Sequence, residues 1–288
     1  MFTAKGMFKV PVHFPSIQSA VDAAHDGAVV AVAPGNYKEN VIITKSLQLT
    51  RLGDFGEVVV CPPTGPALQI RGAKDVQVQF FVLQALGGLS QDLTAICGEN
   101  DGGEVMFDMC TFSEGMVGVF SYGGSAKMKL HDCQITNCRH VGVQAAGGQM
   151  EANLSNVVGS KDVGLLVRGD NTHVKFSMCK ILDSGTWGVQ TFGGSKCTLF
   201  ESQIMRSGHA GVLVTQRETH AEIRGCQVTA NAWQGVSVMC FGSAHVEACD
   251  LKGNHSGCIY VENDHKRTPA TCEQVCNVMD NKEDPASY

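Results

Sequence analysis

One position in this chain returns at nearly fixed intervals: Cys110, Cys133, Ser155, Cys179, Ser202, Cys226 and Cys249, at steps of 23, 22, 24, 23, 24 and 23 residues. Every occupant carries a small thiol or hydroxyl. A period of this length marks one supersecondary unit stacked on copies of itself. Five residues before the mark lie Val105, Met128, Met150, Val174, Cys197, Ala221 and Ala244. Three before it lie Phe107, Leu130, Ala152, Phe176, Leu199, Ile223 and Val246, and two after it Phe112, Ile135, Val157, Ile181, Ile204, Val228 and Leu251. Lys129, Glu151, Lys175, Glu222 and His245 fall between them. Apolar and polar residues at a period of two make a strand buried on one face, here running across the mark.

A second strand repeats in the same frame, opening with Gly118-Val119, Gly142-Val143, Gly164-Leu165, Gly188-Val189, Gly211-Val212 and Gly235-Val236, with Cys258-Ile259 as a last copy. Glycine pairs such as Gly123-Gly124, Gly147-Gly148 and Gly193-Gly194 close it, as suits a tight corner. A turn of 22 to 24 residues leaves no room for a crossover helix. Successive turns must stack strand on strand, parallel and in register, about 4.8 Å apart. The expected fold is all-β: a single right-handed parallel β-helix, since crossovers default to that hand.

The repeat frame runs from about residue 67 to residue 262, so the 288 residues form one elongated domain rather than two. We expect the β-helix with its N-terminal cap over residues 1–262, in about nine to ten coils, and a polar C-terminal tail or cap over 263–288. A net charge of −6 lacks the basic stripe that a nucleic acid needs. No long apolar run or cleavable signal is visible. Thirteen cysteines suggest disulfides at first, but five of them sit on the inward mark, where a free Cys acts as a small buried hydrophobe. Reduced thiols point to a cytoplasmic, reducing compartment. Cys272-x-x-x-Cys276 lacks zinc-site spacing, and nothing calls for a metal or a cofactor.

Ahead of the regular coils, Ser16 is a good N-cap and Ile17, Ala20, Val21 and Ala24 share one side of a short helix over 16–24, placed to cover the open end of the stack. Val29–Ala33 reads as the first strand, Pro34–Tyr37 as a turn, and Val41–Ile43 and Leu47–Leu49 as strands. Phe81 takes the mark position one coil upstream of Cys110. The 29 residues between them imply an insertion over Gln84–Gln91.

The run from Ser16 through Pro34-Gly35-Asn36-Tyr37 to Ile43, joined to these repeats, resembles right-handed β-helix proteins of the pectin-lyase-like superfamily. It is most similar to the group with carbohydrate-binding and sugar-hydrolase (CASH) repeats. That group includes the β-helix part of F-box ubiquitin-ligase receptors, SHC-binding spindle proteins and bacterial copper-enzyme maturation factors. The resemblance covers about Ser16 to Glu262 and implies the fold. This fold hosts lyases, hydrolases, epimerases and pure binding scaffolds alike, so function must come from a site.

Sugar hydrolysis needs two carboxylates flanking the bond. The outward side of the Gly-Val strands carries Phe120, Gln144, Leu166, Gln190, Leu213, Ser237 and Tyr260, then Tyr122, Ala146, Arg168, Phe192, Thr215, Met239 and Glu262. It shows no acid pair. The other strand carries Glu222, Arg224, His245 and Glu247 on two adjacent rungs with His220 beside them; these are the residues for proton transfer if the chain is an enzyme, with Arg168 and Asp170 as a further pair. They equally form a solvated charge ladder. Phe120, Tyr122, Leu166, Phe192, Leu213, Met239 and Tyr260, with Gln144, Gln190 and Arg168, make an apolar stripe that suits a protein or glycan partner. Trp187 and Trp233 stand at its rim. Ser160, Ser184, Ser207, Asn231 and Asn254 share one corner position, expected to be a hydrogen-bonded turn ladder. The expected function is a non-catalytic scaffold recognising a partner through this stripe; the rivals are a carbohydrate-active lyase, hydrolase or epimerase, and an architectural subunit of a large assembly.

Overall fold

The computed structural model describes residues 7–86, 96–262 and 271–275. Across them the chain winds into a right-handed parallel β-helix of about 11 turns. Its three faces are parallel sheets of 12, 9 and 10 strands among the described residues. In one coil, Glu104–Asp108 lies in the first sheet, Thr111–Ser113 in the second and Val117–Tyr122 in the third. Each pairs in register with the next coil, at Lys127–His131, Gln134–Thr136 and Val141–Ala146.

The strand expected to run across the mark is two strands. Between them sit Met109, Asp132, Leu154, Met178, Glu201 and Ala248, with φ between 46 and 54°. A left-handed residue turns the chain through the corner, and its trace in the sequence is the step of three, not two, between inward Phe107 and Cys110. That conformation costs a side-chain-bearing residue about 1–2 kcal/mol. The ladder continues through the bend all the same: Met109 N–H donates to His131 O at 3.0 Å and Met178 N–H to Phe200 O at 2.9 Å.

The corner also explains why the mark is Cys or Ser. Ser155 Oγ accepts from Cys133 N–H at 3.1 Å, and Ser202 Oγ accepts from Cys179 N–H at 3.1 Å. Cys226 Sγ and Cys249 Sγ receive the Ser202 and Cys226 amides at 3.5 and 3.4 Å. A buried amide must find an acceptor, and a thiol or hydroxyl one coil on supplies it in little space. All seven mark residues are buried.

The N-terminal cap is the Ile17–Ala23 helix, with Ser16 as N-cap in a capping box with Ser19. Glu39 accepts from Ile17 N–H and Gln18 N–H, both at 2.9 Å, placing a carboxylate on the helix N-terminus. Gln18 then pairs with the edge strand of the third sheet: its Oε1 accepts from Ile42 N–H at 2.7 Å and its Nε2 donates to Ile42 O at 3.2 Å. Lys45 Nζ donates to the Asp22 and Ala24 carbonyls at the helix end. Ile17, Ala20 and Val21 are buried against the core.

Three expectations are corrected here. Pro34–Tyr37 is not simply a turn, because Gly35–Tyr37 pairs with Val58–Val60 in the second sheet. Met7–Val10 adds a strand ahead of Ala28–Val32. In the polar tail after 262, Thr271–Val275 pairs with Ser243–Glu247 and extends the first sheet. Met7–Val10 and Thr271–Val275 lengthen the stack beyond the nine to ten coils expected. Part of the Gln84–Gln91 insertion, and Cys276, lie outside the described residues.

Candidate functional site

The third sheet presents two outward columns. In register they run Phe120, Gln144, Leu166, Gln190, Leu213, Ser237, Tyr260 and Tyr122, Ala146, Arg168, Phe192, Thr215, Met239, in the order expected. The stripe is less open than its composition suggests. Gln144, Leu213 and Ser237 are buried, and of its apolar members only Tyr260 is well exposed, at 43%. The cause is a second apolar cluster on the outside of this sheet: Phe120, Leu166 and Trp187 pack on Ile96, Val117, Val141 and Val163. The face is a half-buried, largely apolar surface.

The acid pair that appeared absent from this face lies one coil upstream. Ile96–Asp101 is also a strand of the third sheet, pairing Glu99 with Phe120 and Asp101 with Tyr122. The preceding strand sets Gln69 beside Glu99 and Arg71 beside Asp101. Glu99 is 6% exposed and burial raises its pKa, opposed by hydrogen bonds from Tyr122 and Gln69. Gln69 Nε2 donates to Glu99 Oε2. The Tyr122 phenol bonds both Glu99 and Asp101, and burial together with their negative charge pushes its pKa up to about 12. Its ring stacks on Phe120 at 4.9 Å. A single phenol hydrogen serves one carboxylate at a time, so the Tyr122 hydroxyl is shared between the two acids.

The sequence signal for this strand was misplaced by one residue. Gly98 aligns with inward Val119 instead of Gly118. A Cβ on Gly98 would stand 2.6 Å from Phe112 Cε1. Phe107 and Phe112, edge to face at 5.1 Å, fill the lumen there and leave no space for the usual valine.

Farther along, the Gln144 amide, oriented to satisfy its neighbours, accepts from Arg168 Nε and Nη2 at 3.2 and 3.0 Å. Arg168 and Asp170 meet Phe192 and Gln216 around a shallow hollow of about 360 Å³. On the rim, His209 stacks on Trp233 at 4.3 Å and meets Trp187 edge-on at 5.2 Å.

The alternative set on the first sheet is brought together as expected, with Glu222 beside His245 and Arg224 beside Glu247. Arg224 ties down both acids, Nη2 to Glu222 Oε1 at 2.6 Å and Nε to Glu247 Oε2 at 3.2 Å. His245 Nε2 reaches Glu247 at 3.6 Å, and His220 Nδ1 is held by Ser243 Oγ at 2.9 Å. With the three acid and arginine side chains a third to a half exposed, this is the geometry of an ion-pair ladder, in which each pair contributes about 0–1 kcal/mol. Among the described residues no cluster of three or more potential metal ligands occurs, and no helix is long and apolar enough to cross a membrane.

The fold of this chain is similar to that of several solved proteins. Against the periplasmic alginate epimerase AlgG the TM-score is 0.53 at 11% identity, over 94% of this chain and 82% of the other. Against pectate lyase Pel9A it is 0.56 at 10% identity, over 82% and 73%. ORF18 of Geobacillus virus E2 gives 0.60 at 12% identity, over 85% and 54%. At such identities the likeness is one of fold. No curated protein sequence matches the chain. The family description "right handed beta helix region" matches residues 117–272, more than half of the sequence, and the chain belongs to that family.

Proposed function

We propose that this protein is a carbohydrate-active enzyme that receives a glycan chain on the outward face of its third sheet and transfers protons with Glu99, Asp101 and Tyr122. The observation that carries the reading is the hydrogen-bonded carboxyl–phenol–carboxyl group on an outward face of aromatic and amide side chains. Glu99, whose burial favours its protonated form, is suited to protonate a glycosidic oxygen as the C–O bond breaks. Asp101, half-buried beside Arg71, takes a proton from an incoming water or from the sugar carbon beside a carboxylate. Tyr122 spans the two and passes the proton between them. Arg71 at this centre and Arg168 farther down offer positive charge to acidic sugars. The carbohydrate-active β-helix proteins of similar fold support the choice of substrate class.

The test is a panel of polysaccharides assayed for new reducing ends, unsaturated ends and inverted sugar centres. Turnover by the wild type that falls about 100-fold or more in Glu99→Gln and Tyr122→Phe, with glycan binding retained, is the expected result. Turnover that survives in both variants overturns the assignment.

A second reading keeps the face and drops the chemistry: a recognition surface for a glycan or protein. Its support is that Gln144, which holds Arg168, and the apolar residues lie beyond the acids. It predicts binding without turnover, abolished by Phe120→Ser with Phe192→Ser and Tyr260→Ser.

A further inference from the structure

Glu99 and Asp101 point outward, so the residue between them points into the lumen. That residue is Asn100, fully buried. In the same inward column Ile70 stands one coil earlier, and Ser121, Ala145 and Val167 stand in the coils that follow. An amide in such surroundings has left water and must recover its hydrogen bonds inside the protein. Asn100 Oδ1 accepts from Gly103 N–H at 3.0 Å, and Nδ2 donates to Gly103 O at 2.9 Å. Asp101 and Gly102 are therefore enclosed by two bonds from one side chain. Nδ2 also donates to Lys127 O at 3.1 Å. Gly103 comes two residues after Asp101, and Lys127 opens the first-sheet strand that follows Tyr122. One amide thus ties the corner leaving Asp101 to the corner leaving Tyr122, whose phenol is bonded to both acids.

Later coils tie this corner from within the corner itself. Thr172 Oγ1 accepts from Gly147 N–H at 2.7 Å and donates to Arg168 O at 2.7 Å, and Thr219 Oγ1 accepts from Gly194 N–H at 3.0 Å. Gly103 holds the place of Thr172 and Thr219, directly ahead of a first-sheet strand. A Cβ there would stand 2.8 Å from Ala73 O and 3.1 Å from Asn100 Oδ1. At the acids the tie has moved out of the corner and into the strand, to the position between the two carboxyl groups.

We infer that Asn100 is the positioning residue of the acid–phenol centre, fixing the Asp101 carboxyl group against the Tyr122 hydroxyl by tying their two corners together. The inference rests on the centre proposed above and names what holds it in shape. Its consequence falls on Glu99. The negative charge of Asp101 raises the Glu99 pKa, and the Tyr122 hydrogen bond lowers it. Releasing Asp101 takes that charge away and leaves the phenol to Glu99 alone, so both changes act downward.

The experiment is a pH titration of the whole protein without substrate, followed by carbon-13 NMR of labelled glutamate carboxyl groups, with Glu99→Gln to assign the Glu99 signal. Asn100→Ala is expected to bring the Glu99 midpoint down toward the ordinary carboxylate range. In the polysaccharide assay its kcat is expected to fall about 100-fold with KM unchanged, as for a reacting group displaced by about 1 Å. Asn100→Ser keeps a hydroxyl for Gly103 N–H but does not reach Lys127, and it is read in the same way if Asn100→Ala does not fold. Thr191→Val is the control. It removes a buried bond to Ser195 Oγ, 2.8 Å long, four coils farther along the same inward column, and should lower stability with the Glu99 midpoint in place. An Asn100 variant that folds with Glu99 unmoved, or an equal shift in Thr191→Val, overturns the inference. That result leaves the proposed enzyme standing if Glu99→Gln still abolishes turnover. A wild type that turns over no polysaccharide removes the enzyme, while the titration still decides the role of Asn100.

Discussion

Three serine hydroxyls, on Ser160, Ser184 and Ser207, are buried in one corner column without a hydrogen-bond partner. In the next two coils the same column holds Asn231 and Asn254, and there the expected ladder exists. Asn231 Oδ1 accepts from Ser207 N–H at 2.9 Å, Asn254 Oδ1 from Asn231 N–H at 3.0 Å, and Asn254 Nδ2 donates to Val228 O and Leu251 O. An amide spans the rise between coils; a hydroxyl on the same stem falls short. Ser184→Ala should therefore be neutral or stabilising by about 1 kcal/mol, whereas Asn231→Ala should cost about 1–3 kcal/mol. Urea denaturation of both variants measures this, and an equal loss in the two would contradict it. The sequence showed the column but not the reach of each side chain within it. The mark column was legible to the same depth: Cys110 to Cys249 announced the coil, while their service as acceptors for corner amides depended on a bend that no propensity predicts at Met109 or Leu154.

At the scale of the element, the capping helix was readable because Ser16 and the spacing of Ile17, Ala20 and Val21 are local signals. Its anchoring was not, because Glu39 and Ile42 lie a coil away. Glu39→Ala removes two charge-assisted bonds and should lower stability by about 1.5–3 kcal/mol. Hydrogen exchange should then quicken first at Val41–Ile43, the strand that Gln18 covers. Uniform exchange across the stack would show that the helix guards nothing in particular. The Ile96–Asp101 strand escaped the sequence reading for the opposite reason. Phe107 and Phe112 in neighbouring strands dictate where its glycine falls, so its acids were never aligned with the face they complete.

For the whole molecule, the lumen is a column of thiols with few charges near it. Burial lifts the Cys179 pKa to about 11 and those of Cys133 and Cys197 to about 12, from 9.0. An unfolded thiol ionises near 9.0 while the native one holds its proton, so the native state binds more protons across that window. The stability these groups confer is whole below pH 9 and is lost as pH rises through the native values, by about 1.4 kcal/mol per pH unit for each thiol. Melting temperatures should fall steeply above pH 9. Cys179→Ser, which copies the residue already present at 155 and 202, should make that fall shallower, and an unchanged slope would disprove the account.

Because each coil is an interchangeable layer, a chain that gained or lost one would still fold. The outward columns, by contrast, change occupant from coil to coil. Excising a turn near Gln190 would keep the lumen continuous and bring side chains that are now two coils apart into adjacent places on the outer face.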